Sequence, residues 1–209
     1  MLPMMLRRPL ILASASPRRA ELLRQVGVPF TVLPAHVEEP PPAAGQDVLA
    51  WARQAALDKA RAAVPHLTAP ALVIGADTVV LAPAEDAGHP CLHAAPVRVL
   101  GKPADDADAR AMLRALSGRE HTVVSAFALL AHPEDKWVSE AVETRVCFRI
   151  LTDAEIAAYV ATGEPRDKAG AYGIQGQGAV FVEGITGDYY TVVGLPLARV
   201  WQRLLFWMA

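Results

Sequence analysis

Leu10-Ile11-Leu12-Ala13-Ser14-Ala15-Ser16-Pro17-Arg18-Arg19-Ala20-Glu21-Leu22-Leu23 is the stretch whose reading decides the fold class. Pro9 to Ala13 is a continuous apolar run too short for a helix, so it reads as a buried strand. Ser14 to Pro17 interrupts it with small and polar residues. Pro17 suits the first turn of a helix, and Ser16 suits the N-cap before it. The helical pattern continues through Glu21, Leu22, Leu23 and Val26 and stops at Gly27. Phe30 to Leu33 reads as the next strand. Strand, polar loop, helix and strand in that order are the rhythm of an α/β protein.

The same rhythm extends outward. Pro40-Pro41-Pro42 is a stiff connector, and Gln46 to Ala63 follows with Val48, Leu49, Ala52, Ala56 and Ala60 near helical spacing. Ala71 to Ile74 reads as a buried strand that ends at Gly75-Ala76-Asp77-Thr78 and resumes with Val79 to Leu81. Residues 82–97 lack any period and read as a loop. Asp105 to Leu116 is an amphipathic helix stopped by Ser117-Gly118. His121 to Leu130 and Trp137 to Ile150 flank His132-Pro133-Glu134-Asp135 as an antiparallel hairpin. Thr152 opens another helix. A glycine-rich stretch runs from Gly163 to Gly178, and Ala179 to Val182 and Tyr189 to Val193 read as strands. Pro196 starts the last helix, with Val200, Trp201, Leu204, Leu205 and Trp207 on a wide apolar face. That face reads as core, with a homodimer interface as the other reading.

Composition bounds the function. The chain has 209 residues, 53% hydrophobic and 20% charged, enough to bury a substantial core. A net charge of −2 provides no global basic field, which argues against a nucleic-acid polymer as partner. Two cysteines form no disulfide framework, so a reducing cytoplasm is the expected location. No apolar run is long enough to span a membrane, and the run after Arg7-Arg8 is too short for a signal peptide. The positive charge is skewed: sixteen arginines stand against four lysines, Lys59, Lys102, Lys136 and Lys168, in a chain with 39 alanines. A lysine that persists against such a bias invites a reason.

Four polar spots lie beside predicted strands, where α/β sheets bind ligands. Ser14 to Arg19 joins a small-residue loop to a helix N-terminus, which suits an anion, with Arg18 and Arg19 as forked donors. A capped helix with two surface arginines is the alternative. Asp77, in Gly75-Ala76-Asp77-Thr78, sits where an acid is costly unless paired or holding a metal. It reads as metal ligand, general base or turn cap. Gly101-Lys102-Pro103 offers close backbone approach and a point charge, or a plain loop. Glu164 to Gly178 combines four glycines with Asp167, Lys168, Tyr172 and Gln175. The two-faced amide of Gln175 suits a base edge. Three of the four lysines fall in or beside these spots, which points to a phosphate-rich small ligand. His89-Pro90-Cys91-Leu92-His93 matches no standard zinc spacing, and His36 and His121 read as satisfied structural residues. No P-loop and no nucleophile elbow is present.

As a set, these motifs resemble the Maf family of nucleoside triphosphate pyrophosphatases from about Leu10 to Val200. The carriers are L-I-L-A-S-A-S-P-R-R-A-E-L-L at 10–23, V-E-E at 37–39, D-K-A-R-A at 58–62, G-A-D-T-V-V at 75–80 and L-G-K-P at 100–103. E-T-R-V-C-F-R at 143–149, D-K-A-G-A-Y-G-I-Q-G at 167–176 and V-V-G-L-P-L at 192–197 continue them. The resemblance implies a single domain over 1–209: a mixed, elongated α/β sheet in two lobes with a central cleft, similar to inosine triphosphate pyrophosphatases. It implies hydrolysis of a nucleoside triphosphate to monophosphate and pyrophosphate with a divalent metal, Mg2+ or Mn2+. The glycine-rich segment looks like the subgroup that acts on dTTP and UTP. The alternatives are 7-methyl-GTP as substrate and a non-catalytic nucleotide-binding regulator of cell division. By the same resemblance Asp77 is the catalytic acid or base, and Glu39 with Asp77 holds the metal. Arg18, Thr78 and Gln175 tune substrate choice, Lys59, Lys102 and Lys168 grip the triphosphate, and Ser14 and Ser16 line the loop beneath it. A nucleotidyltransferase shares the loop, the cations and the acid, but needs an acceptor. The stretch between Val80 and Gly101 is longer than the family usually carries and reads as an extended surface hairpin.

Overall fold

A computed structural model describes residues 6–34, 37, 40–43, 45–83 and 97–207. In chain order the elements are β1 (Leu10–Leu12), α1 (Pro17–Gln25), β2 (Phe30–Val32), α2 (Val48–Ala63), β3 (Ala71–Pro83), β4 (Val97–Leu100) and α3 (Asp106–Leu116). They continue with β5 (Glu120–His132), β6 (Lys136–Phe148), α4 (Asp153–Ala161), β7 (Val182–Thr186), α5 (Tyr189–Val193) and α6 (Leu197–Leu205). Among the described residues the strands form one mixed sheet in the order β2-β1-β3-β5-β6-β7, with β4 paired to β3. β1 runs parallel to both β2 and β3, with Leu10 opposite Phe30 and Leu72. β4 and β7 pair antiparallel with β3 and β6. The fold is therefore mixed α/β, as its opening residues predict.

The chain divides into two compact units. The first comprises Met1–Thr78, Ser125–Val142 and Gly194–Ala209. Its interior is built from Leu10, Leu12, Leu22, Leu23, Ile74, Phe127 and Leu129, all essentially inaccessible to solvent. Alanines 52, 56, 60 and 63 of α2 are buried too. Small side chains let that helix lie close against its neighbour, and Gly75 of β3 marks the tightest point. A Cβ there would stand 2.1 Å from the Ala56 carbonyl oxygen and 2.7 Å from the Ala60 nitrogen. The second unit comprises Val79–Val124 and Glu143–Val193. Its core joins Leu100, Leu113, Leu116, Val146, Phe148, Ile156, Tyr159, Tyr172 and Phe181.

Several local expectations need correction. Ser16 does occupy the N-cap of α1, but its side chain makes no capping bond; the Ser16 N–H is instead taken by Ser14 Oγ at 3.3 Å. Strand structure resumes at Val97, inside the region expected to be loop, because Val97 to Leu100 pairs with Val80 to Pro83. Residues 84–96, including the His89–Cys91–His93 group, lie outside the described residues, as do His36 and Glu39. Ala179 belongs to a 3-10 turn over Gln177–Phe181, and the strand begins only at Val182. Tyr189 to Val193 is a helix. Its aromatic and β-branched residues favour a strand, but Asp188 overrides them. The Asp188 carboxylate accepts from the Thr191 N–H at 2.9 Å, the Thr191 hydroxyl at 2.8 Å and the Tyr190 N–H at 3.3 Å, which caps a helical turn. In α6, Leu197, Val200 and Leu204 are buried, whereas Leu205 is exposed, so the apolar stripe is narrower than its sequence suggests. No helix among the described residues is long and apolar enough to cross a membrane.

Candidate active site

Asp77 lies within β3, on a run whose neighbours are buried, and is itself only 4% exposed. Lys59, one turn from the end of α2, reaches it: Nζ stands 2.6 Å from Asp77 Oδ1. The approach enforced at Gly75 brings that helix within reach. Both side chains are largely withdrawn from water, 12% and 6% exposed. Removing one member of such a pair strands the other charge and costs about 3–5 kcal/mol. Asp77 Oδ2 is buried with no hydrogen-bond partner among the described residues. A buried carboxylate oxygen left unmatched is expensive, and a proton or a cation at Asp77 Oδ2 would relieve that cost.

Beside it Thr78 anchors a second network. Arg19 Nη2 donates to Thr78 Oγ1 at 3.0 Å, Nη1 donates to Ser14 Oγ at 3.0 Å, and Nε donates to the Gly194 carbonyl at 2.9 Å. Thr78 Oγ1 also lies 2.9 Å from Ser125 Oγ and 3.3 Å from the Gly194 oxygen. One planar guanidinium therefore ties α1, the Ser14 loop, β3 and the segment leading into α6. Arg18 is half-buried on the first turn of α1. One residue of this arrangement, Ser125, carries no signal in the sequence. Ser125 is fully buried in β5 and offered only one hydroxyl inside an apolar run. Arg19, expected to offer forked donors to an anion, also directs three of them to groups of the protein itself. A signal was available, because it stands three and four residues before the buried Leu22 and Leu23, on the inward face of α1.

Ser14, Ser16, Arg18, Lys59, Asp77 and Thr78 all belong to the first unit; Lys102, Lys168 and Gln175 belong to the second. Within the second, the Gly101 carbonyl accepts from the Gly170 N–H at 3.0 Å, which joins the Gly101-Lys102-Pro103 turn to the glycine-rich stretch. Gly170 has φ +69°, and a Cβ there would meet Val80 Cγ2 at 2.8 Å. Gly101, by contrast, has open space beside its Cα, with no protein atom within 4 Å of where a Cβ would stand. Lys102 and Gln175 are exposed. Lys168 Nζ donates to the Glu164 carbonyl and to Asp167 Oδ1, each at 2.7 Å, so two of its three donors serve its own loop. Tyr172 is buried, with its hydroxyl 2.9 Å from His121 Nε2. Burial pushes His121 down to about 3, so its ring is neutral at ordinary pH. Among the described residues its Nδ1 has no partner, so His121 is hydrogen-bonded there at one nitrogen only.

No group of three or more His, Cys, Asp and Glu side chains among the described residues forms a cage for a metal ion. Mg2+ is commonly held by one or two carboxylates together with substrate phosphates and water, so a lone protein carboxylate suits it. The unmatched Asp77 Oδ2 is such a carboxylate oxygen.

Residues 9–205 match the family model for Maf-like proteins. A dTTP/UTP pyrophosphatase from Moorella thermoacetica is 50% identical over 200 residues, covering 93% of each chain. One from Koribacter versatilis is 48% identical over 195 residues, covering 93% of this chain and 92% of its own. Among solved structures, a HAM1 protein from Coxiella burnetii aligns over 97% of this chain and 100% of that one, at 19% identity and a TM-score of 0.45. The chain belongs to the family of Maf-like proteins.

Proposed function

We propose that this protein hydrolyses dTTP and UTP to the nucleoside monophosphate and pyrophosphate in the cytoplasm. The observation that carries the reading is the buried Asp77, with Oδ1 pinned by Lys59 and Oδ2 unmatched. The substrate class is supported by relatives named dTTP/UTP pyrophosphatase at 50% and 48% identity. In the reaction the oxygen of water forms a bond to the α-phosphorus. The bond from that phosphorus to the bridging oxygen breaks, and pyrophosphate leaves with the electron pair. The water's proton passes to Asp77 Oδ2, the oxygen that Lys59 leaves open. Asp77 and Glu39 would hold a divalent cation, Mg2+ or Mn2+, which would neutralise triphosphate charge. Arg18 and Lys102 take phosphate charge, as does the remaining donor of Lys168. Thr78 and Gln175 select the base. With charge and orientation supplied, little covalent work remains for the protein.

Pyrophosphate release, measured with Mg2+ or Mn2+ across dTTP, UTP, CTP, the purine triphosphates and 7-methyl-GTP, tests this reading. dTTP and UTP are expected to lead, chelation of the cation to stop release, and Asp77→Asn to lose at least about a hundredfold in turnover while still unfolding cooperatively, at a lowered midpoint because Lys59 loses its buried partner. Near-normal turnover by Asp77→Asn removes Asp77 from the chemistry. Preference for 7-methyl-GTP, or binding without turnover, sinks the assigned function.

A further inference from the structure

The glycine-rich stretch wraps around a carboxylate of its own. Glu164 follows Gly163, whose φ is +75°, and opens a 3-10 turn over Glu164–Asp167. Its Oε2 accepts from the Gln177 N–H at 2.9 Å, and its Oε1 accepts from the Tyr159 hydroxyl at 2.9 Å and the Gly178 N–H at 3.4 Å. The Tyr159 hydroxyl in turn accepts from the Gly173 N–H at 3.1 Å. The turn between is closed by the Gly176 N–H on the Gly173 carbonyl at 3.2 Å. Both ends of the segment that carries Gln175 thus converge on one side chain, directly at 177–178 and through the phenol at 173.

The glycines are what this convergence requires. A Cβ on Gly176 would lie 2.3 Å from Glu164 Oε1 and 2.6 Å from Oε2. On Gly173 it would lie 2.6 Å from Lys168 Cε and 3.1 Å from Glu164 Oε1, and on Gly178 2.8 Å from the Tyr159 hydroxyl. Successive backbone N–H groups in a glycine-rich turn are the usual makings of a phosphate cradle. Here the Gln177 and Gly178 N–H groups are already committed to an internal anion. The segment is left to present the exposed Gln175, in a frame whose geometry the Glu164 carboxylate dictates.

We propose that Glu164 is a positioning residue that sets base selectivity by fixing the Gly173–Gly178 turn on which Gln175 stands. The inference rests on the proposed base-reading role of Gln175. Its chemistry is specific to a carboxylate, since an amide offers one acceptor oxygen and turns an NH2 group towards donors.

The test compares the full-length protein with Glu164→Gln, Gln175→Ala and the double variant. Amide hydrogen exchange over 173–178 and kcat/KM for UTP, dTTP, CTP and ATP are measured on each. Exchange at 173, 177 and 178 is expected to speed up in Glu164→Gln. The UTP-to-ATP ratio should fall roughly tenfold, as for a lost charge-assisted hydrogen bond, chiefly through KM. The double variant should be no less selective than Gln175→Ala alone, as for residues acting in series. Tyr159→Phe keeps the ring and removes only the hydroxyl. It should move the ratio the same way, and it carries the test if Glu164→Gln does not fold. Faster exchange with an unchanged ratio, or additive losses in the double variant, overturns the proposal. A wild-type protein that releases no pyrophosphate fails the function itself, a result separate from a selective wild type whose variants stay selective.

Discussion

A hydroxyl has one proton to give, and that single fact orders the network around Thr78. Arg19 Nη2 donates to Thr78 Oγ1, so the threonine proton is directed to the Gly194 carbonyl or to Ser125 Oγ. Lysine in place of Arg19 keeps the charge but cannot reach three acceptors from one planar group. Arg19→Lys should therefore leave part-buried acceptors unmatched and lose about 2 kcal/mol, read from the urea midpoint at constant m-value. Equal stability of Arg19→Lys and wild type would refute the tie. The lysines singled out by the composition stand in different surroundings. Lys59 pairs with Asp77, and Lys168 spends two donors on Glu164 and Asp167. Asp77 was legible because an acid closing an apolar run demands an explanation. Ser125 was not, since a lone serine in a buried strand has the same appearance whether or not it faces a site.

Between elements, the decisive contact is β3 against α2 at Gly75. The obstacle to a side chain there is backbone, the Ala56 carbonyl and the Ala60 nitrogen, so no rotamer change relieves it. Gly75→Ala is expected to push the helix away at a cost of about 3 kcal/mol, the upper end of overpacking. Because Lys59 rides on that helix, displacement of about 1 Å should also lower turnover by roughly a hundredfold. Thermal unfolding and pyrophosphate release read the two effects. A stable Gly75→Ala variant with full activity would show that the close approach does not set the ion pair. The opening strand-helix-strand, α3 and the long hairpin were legible because period, caps and turn residues agreed. α5 was not, because Asp188 imposes a cap that outweighs the β propensity of Tyr-Tyr-Thr-Val-Val. β7 was hidden by Glu183 and Gly184, which break the apolar pattern of an otherwise regular partner to β6. The pairing of the Glu164 carboxylate with the glycines of its loop was not legible, because sequence shows permissive backbone without showing what approaches it.

For the whole molecule, the ionisable groups held away from their ordinary behaviour set the acid limit of stability. Burial lowers His121 from 6.5 to about 3 in the folded protein. Below pH 6.5 the unfolded chain therefore takes up a proton that the folded one refuses. Stability should fall as pH drops, with a slope approaching about 1.4 kcal/mol per pH unit, until His121 itself titrates. The exposed carboxylates act in a lower window. Hydrogen bonding from Arg8 holds Glu134 at about 2, and hydrogen bonding from Arg149 holds Glu155 at about 2, each against 4.5. Their contribution is complete above pH 4.5 and disappears as pH falls towards 2. Denaturant midpoints between pH 8 and pH 3 should thus show a plateau above about 7, a first decline below 6.5 and a steeper one below 4.5. His121→Gln keeps a polar atom for the Tyr172 hydroxyl and removes the titration, so the first decline should vanish while the second persists. A wild-type curve flat from pH 6.5 to 4.5 would mean that His121 is protonated in the folded state, with its ring opened to water or to a counter-charge.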